Sequence, residues 1–260
     1  MKVLLPPGCG EPAALVAEIC RQSERLPDLT LLGGIHLGDY PFARPEHAAL
    51  RFATWHMSPR LDDARRRGRV EFVPMRYFDL VSQFAAGGAW APDCVLVHCA
   101  PPDARGYLSL GVSVSVALPA ARRAPLVIAQ VNPAMPRTLG NAFLHRSQID
   151  CWVEADEPLT PYPPPPIGEV ERAIGRHVAA LVPDGATVQV GVGAIPQAVL
   201  EALVDHRDLA LHSLLVDASV TLVERGAVTN ALKRVHRGAW TSARRWARVG
   251  CSISSTRTPS

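Results

Sequence analysis

A strand–turn–helix unit with a G-x-G turn occurs twice in this sequence, and this repetition constrains the fold more than any other feature. Each copy places the turn between an apolar strand and an apolar helix: residues 3–5, Gly8-Cys9-Gly10 and 13–20 in the first, and residues 187–190, Gly191-Val192-Gly193 and 197–204 in the second. Because both copies have the same order of elements, we predict two similar α/β lobes, the second starting near Glu169.

The residues between the two copies predict the rest of the first lobe. Four further strand-like runs alternate with polar or helical stretches: 30–32, 70–73, Cys94–Cys99 and Leu126–Val131. Strands that alternate with helices are typical of a mostly parallel sheet covered by helices. The sequence therefore predicts an α/β fold with a mostly parallel sheet.

A proline-rich segment marks the predicted lobe boundary. Residues 161–166 contain five prolines, which can form neither a helix nor a central strand, so we predict a stiff connector. Helical spacing of apolar residues resumes at 169–181. The predicted organisation is listed in chain order: an α/β lobe at 1–160, the connector at 161–168, the incomplete start of a second α/β lobe at 169–238, and a basic tail at 239–260.

Composition excludes several classes of protein. Hydrophobic residues make up 48% of the chain and charged residues 20%, which is typical of a soluble globular protein. No apolar run approaches the length that spans a bilayer, and the N-terminal stretch lacks the apolar core of a signal peptide, so we predict a cytoplasmic protein without membrane contact. The six cysteines are scattered without zinc-ligand spacing, which predicts small buried side chains and no metal site.

The charge is distributed unevenly. All 24 Asp and Glu residues lie at or before Glu224, whereas eight of the 27 Lys and Arg residues follow it. A basic tail on an acidic body is one pattern of nucleic-acid binding, but few aromatic residues are interleaved here. Our preferred hypothesis is that residues 239–260 are translated out of frame, which explains the arginines without a nucleic-acid partner.

A G-x-G turn that leads into a helix exposes backbone N–H groups at the positive end of the helix dipole. Such a turn can hold a phosphate, a carboxylate or a developing oxyanion, or can be a tight turn with no ligand. The second turn continues as Ala194-Ile195-Pro196. The absence of a third glycine disfavours dinucleotide binding. A second candidate loop, residues 100–113, follows the apolar strand Cys94–Cys99, where open α/β sheets bind ligands.

Several longer stretches together resemble the acetyl-CoA hydrolase/4-hydroxybutyrate CoA-transferase family over residues 3–238. The stretches that carry the resemblance are Trp55-His56-Met57-Ser58-Pro59-Arg60, Pro101-Pro102-Asp103 with Gly106-Tyr107 and Ser109-Leu110-Gly111-Val112-Ser113, Val131-Asn132-Pro133-Ala134-Met135-Pro136-Arg137-Thr138, Glu169-Val170-Glu171 with Ile174-Gly175-Arg176-His177, Asp184-Gly185-Ala186-Thr187 with Gly191-Val192-Gly193-Ala194-Ile195-Pro196, and Leu222-Val223-Glu224-Arg225-Gly226-Ala227-Val228-Thr229-Asn230.

The resemblance implies a fold of CoA-transferase type and an activity. In the family, a glutamate attacks a short acyl-CoA and a glutamyl-CoA thioester forms. A second carboxylate then accepts the CoA from this thioester; in some members water replaces that carboxylate. Coenzyme A is then a substrate, and no cofactor is required. The implied partners are an acyl-CoA, a short carboxylate and a second copy of the chain in a homodimer. The implied acyl and CoA site comprises Gly191, Gly193, Ala194, Ile195 and Pro196.

The sequence departs from the family where the nucleophile is expected. His212 and Ser213 match the two residues that precede the family's glutamate, and this pair is called the His212-Ser213 step. The glutamate after Ser213 is missing, so no catalytic residue is assigned. Asp217 lies four residues past Ser213, where strand alternation would not replace the glutamate. Glu201 and Glu224 are predicted to be solvent-facing. The hypotheses for this chain are therefore a CoA-transferase or acyl-CoA hydrolase, an inactive remnant or CoA-binding module, and, least favoured, a nucleic-acid-binding protein.

Overall fold

The computed structural model describes residues 1–85, 87–163 and 165–240. Contacts between Cα atoms divide the chain into two units, Met1–Thr160 and Pro161–Ser260. The tail predicted at 239–260 lies outside the described residues, apart from its first two positions. Among the described helices, none is long and apolar enough to cross a membrane.

The first unit contains nine strands and four α-helices in its described residues. The strands are β1 (Lys2–Leu4), β2 (Thr30–Gly33), β3 (Arg51–Thr54), β4 (Val70–Phe72), β5 (Cys94–Cys99), β6 (Tyr107–Ser109), β7 (Leu126–Val131), β8 (Phe143–His145) and β9 (Cys151–Glu154). The helices are α1 (Ala13–Arg21), α2 (Asp62–Arg66), α3 (Leu80–Gln83) and α4 (Ala117–Ala121).

Seven of these strands form one sheet in the order β4-β3-β2-β1-β5-β7-β9, and every neighbouring pair is parallel. The predicted α/β fold with a mostly parallel sheet is confirmed. The buried strands β5 and β7 have the predicted bounds. Strands β3 and β9 were not predicted, because their short sequences RFAT and CWVE lack a continuous apolar run.

The strand order reverses between β1 and β5. From β1 the chain moves outward through β2, β3 and β4, then returns to the other side of β1 and continues through β5, β7 and β9. The loops that leave the carboxyl ends of β1 and β5 therefore diverge, which is the position where open α/β sheets form a ligand crevice.

The core of this unit lies on both faces of the sheet. Successive residues of β1 point to opposite faces, so Val3 belongs to one apolar cluster and Leu4 to the other. Strand β5 alternates in the same way, and all of its residues are buried. Burial on both faces explains why the central strands have continuous apolar sequences.

The second unit contains α5 (Glu169–Ala179), β10 (Thr187–Val188), α6 (Ala194–Ala202), β11 (Ala210–Leu211) and α7 (Asp217–Glu224). Strands β10 and β11 are parallel. Helices α5 and α6 touch at Gly175, where an added Cβ would lie 2.6 Å from the carbonyl oxygen of Ala198. This close approach holds α6 against α5 and requires glycine at position 175.

The prediction of buried cysteines is wrong for Cys151. Cys9, Cys20, Cys94 and Cys99 are buried, whereas Cys151 is exposed because β9 is an edge strand. Burial raises the pKa of the Cys94 and Cys99 thiols to about 12, so both stay protonated at neutral pH. The sixth predicted position, Cys251, lies outside the described residues.

Candidate functional site

The second glycine turn connects β10 directly to α6. The helix begins at Ala194, three residues before the predicted start, because Gly193 serves as its N-cap. Gly193 has φ 123° and ψ 177°, a conformation that is essentially restricted to glycine. The amide of Gln197 donates the first helical hydrogen bond to the carbonyl oxygen of Gly193. The N-terminus of α6 therefore lies within the predicted acyl and CoA site, which includes Gly193 and Ala194.

The backbone of this turn is accessible. An added Cβ at Gly191 or Gly193 would meet only the Pro196 ring, at 4.0 Å and 3.9 Å. In the described part of the chain, the amides of residues 191–195 make no hydrogen bond. Val192 and Ile195 are exposed beside them. Free amides at a helix N-terminus favour an anion or a carbonyl oxygen that gains negative charge.

The hydroxyl of Ser213 connects this turn to the end of β11. Ser213 Oγ donates to the carbonyl oxygen of Val190 at 2.6 Å and accepts from the Val190 amide at 3.0 Å. Val190 is the residue before Gly191. One side chain therefore satisfies both backbone groups of the residue that leads into the turn. The structure brings together two of the predicted stretches, the glycine turn and the His212-Ser213 step.

The residues around Ser213 have distinct environments. The amide of His212 donates to the carbonyl oxygen of Val188 at 3.1 Å, and the residue is exposed. Asp217, the nearest carboxylate after Ser213, is the first residue of α7. The predicted exposure of Glu201 and Glu224 is confirmed. The two carboxylates that follow Ser213, Asp217 and Glu224, are therefore both on α7 rather than at the strand end.

Two further residues that sequence reasoning missed contact the end of β11. Asn230 Oδ1 accepts from the Leu211 amide at 3.0 Å, and Lys233 Nζ donates to the Leu211 carbonyl oxygen at 3.2 Å. Both side chains are buried, and burial lowers the pKa of the Lys233 ammonium. Asn230 was part of a stretch that carried the family resemblance, but nothing in the sequence pattern indicated its contact with Leu211.

The first glycine turn is packed differently. An added Cβ at Gly10 would lie 2.2 Å from Ser113 Cβ, and Ser113 Oγ donates to the Pro7 carbonyl oxygen at 2.6 Å. Glu11, which follows the turn, is buried with Oε1 3.3 Å from His36 Nδ1. This contact joins a ring and a carboxylate without the alignment of a hydrogen bond. The chain's own side chains therefore occupy the first turn, and only the second is open.

A family model described as the acetyl-CoA hydrolase/transferase N-terminal domain matches residues 1–164. This match covers more than half of the 260 residues. The chain belongs to the acetyl-CoA hydrolase/transferase family. The resemblance derived from the sequence motifs is therefore confirmed.

Curated relatives of this family member carry CoA-transferase names. The 4-hydroxybutyrate coenzyme A transferase of Clostridium kluyveri is 36% identical over 239 residues, which is 91% of this chain and 56% of the relative. The succinyl-CoA:cyclohexane-1-carboxylate CoA transferase of Geobacter metallireducens is 35% identical over 90% of this chain and 53% of the relative. The chain thus spans about half the length of the curated relatives it matches.

Solved structures of the family agree with the fold. RipA from Yersinia pestis superposes with a TM-score of 0.87 at 29% identity, over 95% of this chain and 60% of RipA. The 4-hydroxybutyrate CoA-transferase of Porphyromonas gingivalis superposes with a TM-score of 0.81 at 28% identity, over 95% of this chain and 59% of that protein. The fold is that of the CoA-transferases.

Within the region that the family model matches, the loop after β5 is held by an ion pair. Asp103 accepts from the amides of Arg105 and Tyr107, both at 2.9 Å, and Arg137 Nη2 lies 2.6 Å from its carboxylate. The pKa of Asp103 is lowered, first by the Tyr107 backbone hydrogen bond and further by the arginines. The Asp103–Arg137 pair orders this loop.

A buried polar network lies under the same end of the sheet in this family domain. His98 Nδ1 lies 3.1 Å from the Glu11 carbonyl oxygen, and His98 Nε2 lies 3.1 Å from the Asn132 side-chain amide. A carbonyl oxygen requires a donor and an amide NH₂ requires an acceptor, so His98 is neutral with its proton on Nδ1. Burial lowers the pKa of His98 below its ordinary value.

Acid is therefore expected to destabilise the first unit through His98. In the unfolded chain, His98 takes up a proton below about pH 6.5, whereas in the folded chain it stays neutral until a lower pH. The free energy of unfolding should thus fall as the pH drops below about 6.5, measured by urea denaturation monitored by circular dichroism. A His98→Gln variant should lose part of this pH dependence; an unchanged pH dependence would contradict a neutral, buried His98.

Among the described residues, no group of three His, Cys, Asp or Glu side chains could hold a metal ion.

Proposed function

We propose that this chain binds the acyl and CoA part of a short acyl-CoA at the turn formed by Gly191, Gly193, Ala194, Ile195 and Pro196. The observation that carries the proposal is the set of free amides at residues 191–195, held in place by the two hydrogen bonds between Ser213 and Val190. A thioester carbonyl or a CoA phosphate supplies the oxygen acceptor that these amides require.

The family assignment supports the ligand class. Relatives named as CoA transferases match about nine-tenths of the chain. In the family reaction a glutamate carboxylate attacks the thioester carbonyl carbon, and the turn's amides would stabilise the tetrahedral oxyanion. The exposed position of Gly191 next to Ser213's hydrogen-bond partner Val190 agrees with a role at the reacting carbonyl.

We further propose that this chain binds acyl-CoA without transferring it. Ser213 is followed by Leu214, Leu215 and Val216, and Asp217 begins a helix. A nucleophile must lie within bonding reach of the thioester carbon, and the residues directly after Ser213 are apolar. The chain is thus best explained as a CoA-binding member of the family rather than a transferase that acts alone.

The alternative is a complete transfer reaction, which the names of the relatives favour. It requires a carboxylate from elsewhere to reach the turn. The short carboxylate acceptor, the homodimer and the absence of a cofactor, which the resemblance implies, remain predictions for this chain. The cytoplasmic location, which the hydropathy pattern suggested, also remains a prediction.

Substitution of Gly193 by Ala is expected to weaken CoA binding by about 5- to 160-fold, because an alanine at φ 123° is strained by about 1–3 kcal/mol and would shift the amides of the turn. Isothermal titration calorimetry of the full chain with CoA measures the effect.

Gly226→Ala is the matched control. Gly226 also has a positive φ, 78°, and no atom would lie within 4 Å of its added Cβ, but it follows α7 outside the turn. Its substitution should reduce stability without changing the dissociation constant for CoA. Equal losses of affinity in both variants would assign the effect to general destabilisation and contradict the proposed site.

A further inference from the structure

We infer that Asn230 and Lys233 are positioning residues for the CoA site, because their buried side chains fix the end of β11 and, through Ser213, the glycine turn. The inference rests on the proposed function for its ligand. The contacts that carry it lie within the second unit and involve the backbone of Leu211, the residue directly before the His212-Ser213 step.

Among the described residues, up to position 240, no strand pairs with the end of β11 on one of its two sides. On its other side β11 pairs with β10, and the His212 amide donates to the Val188 carbonyl oxygen. In the described residues that follow α7, the chain pairs with the residue before β11 through the bridge between Leu209 and Val228. Past that bridge, the backbone groups of Leu211 need partners from side chains, because buried backbone groups left unpaired are costly.

Asn230 supplies the first partner. Its Oδ1 accepts from the Leu211 backbone amide at 3.0 Å, and its backbone N–H donates to the Leu209 carbonyl oxygen at 3.1 Å. Asn230 is fully buried and has φ 57°, a left-handed conformation that asparagine, aspartate and glycine tolerate best. The residue is thus suited to continue the strand pairing with its side chain where its backbone turns away.

Lys233 supplies the second partner. Its Nζ donates to the Leu211 carbonyl oxygen at 3.2 Å and to the Ala239 carbonyl oxygen at 3.0 Å. A buried ammonium is costly unless carbonyl oxygens surround it, so the lysine ties the segment after α7 to the end of β11. The two side chains together satisfy both backbone groups of Leu211.

The connection continues to the ligand site. Leu211 precedes His212-Ser213, Ser213 bonds both backbone groups of Val190, and Val190 leads into Gly191. Asn230 and Lys233 touch neither the turn nor its free amides in these contacts. Their effect on CoA would therefore be indirect, through the position of Ser213.

Three variants and one control test the inference in the full chain. Asn230→Gly keeps the left-handed backbone but removes the oxygen that accepts from Leu211, whereas Asn230→Asp keeps that oxygen. Lys233→Met removes the donor to the Leu211 carbonyl. Arg234→Met is the control, because Arg234 is the neighbouring exposed residue and also loses a positive charge.

Amide hydrogen exchange of the chain without ligand measures directly whether Asn230 and Lys233 hold the end of β11 in place. Protection of the Leu211, His212 and Val190 amides should fall about tenfold or more in Asn230→Gly and Lys233→Met, while α5 and α6 stay protected. Asn230→Asp and Arg234→Met should stay close to the unsubstituted chain. Unchanged protection at these three amides, or a uniform loss across the unit in Asn230→Gly, Asn230→Asp and Lys233→Met alike, would overturn the inference.

CoA titration separates this inference from the proposed function. If both hold, Asn230→Gly and Lys233→Met should bind CoA about tenfold more weakly and Arg234→Met normally. If the unsubstituted chain binds no CoA, the proposed function fails while the exchange result still decides the positioning role. Normal CoA affinity in variants that have lost local protection would overturn the link from Leu211 to the turn.

Discussion

A glutamate inserted between Ser213 and Leu214 is expected to convert this chain into one that becomes covalently labelled by acyl-CoA. The inserted carboxylate can attack the thioester carbonyl, displace the CoA thiolate and form an anhydride. The thiolate then attacks the glutamyl carbonyl and releases the acyl group as a carboxylate, leaving a glutamyl-CoA thioester. Because removal of an enzyme nucleophile typically lowers rates by about 10⁴–10⁶-fold, labelling should rise at least about a thousandfold.

The measurement is intact-protein mass after incubation with acetyl-CoA and denaturation. A glutamine inserted at the same place is the matched control, since it has the same length and nearly the same shape but no nucleophilic carboxylate. Both insertions change the register of Leu214 and Leu215 equally. Equal labelling of the two insertion variants would show that a carboxylate after Ser213 does not supply the missing chemistry.

Replacement of Gln130 by Leu is expected to lower the free energy of unfolding of the first unit by about 3 kcal/mol. Gln130 Oε1 accepts from the amides of Ala14 and Leu15 at 3.1 Å and 3.3 Å, where α1 begins without a side-chain cap of its own. Its Nε2 donates to the carboxylate of Glu157 and lies 3.4 Å from His98 Nε2. Leucine would leave these groups without their partner.

Urea denaturation at neutral pH measures this loss, and Gln148→Leu provides a control. Gln148 is exposed and accepts a single hydrogen bond from the His145 amide, so its substitution should cost less than about 1 kcal/mol. A loss at Gln130 no larger than that at Gln148 would show that the network does not hold α1 to the sheet.

The sequence predicts the centre of the first unit well because its strands are buried on both faces. The largely apolar runs at β5 and β7, each interrupted by a single polar residue, His98 or Gln130, predicted the bounds of both strands directly. Edge strand β9 was not predicted, because all four of its residues are exposed and the sequence shows no apolar run there. Its membership of the sheet depends on hydrogen bonds to β7, which leave no apolar pattern.

The candidate site was predictable only in part, for a related reason. Glycine spacing located the second turn, and the resemblance located His212 and Ser213. The open turn at Gly193 and the packed turn at Gly10 have similar sequences, but distant residues such as Ser113 pack against Gly10 and not against Gly193. Such contacts join residues far apart in the chain, so a local pattern could not separate a packed turn from an accessible one.

Mass spectrometry of the unsubstituted chain with acetyl-CoA, recorded before and after denaturation, tests the central claim most directly. The account predicts a complex of chain and acetyl-CoA under native conditions, and the mass of the chain alone after denaturation. A CoA adduct that persists after denaturation would show that a carboxylate of this chain reaches the thioester. The absence of any complex under native conditions would contradict binding at the glycine turn.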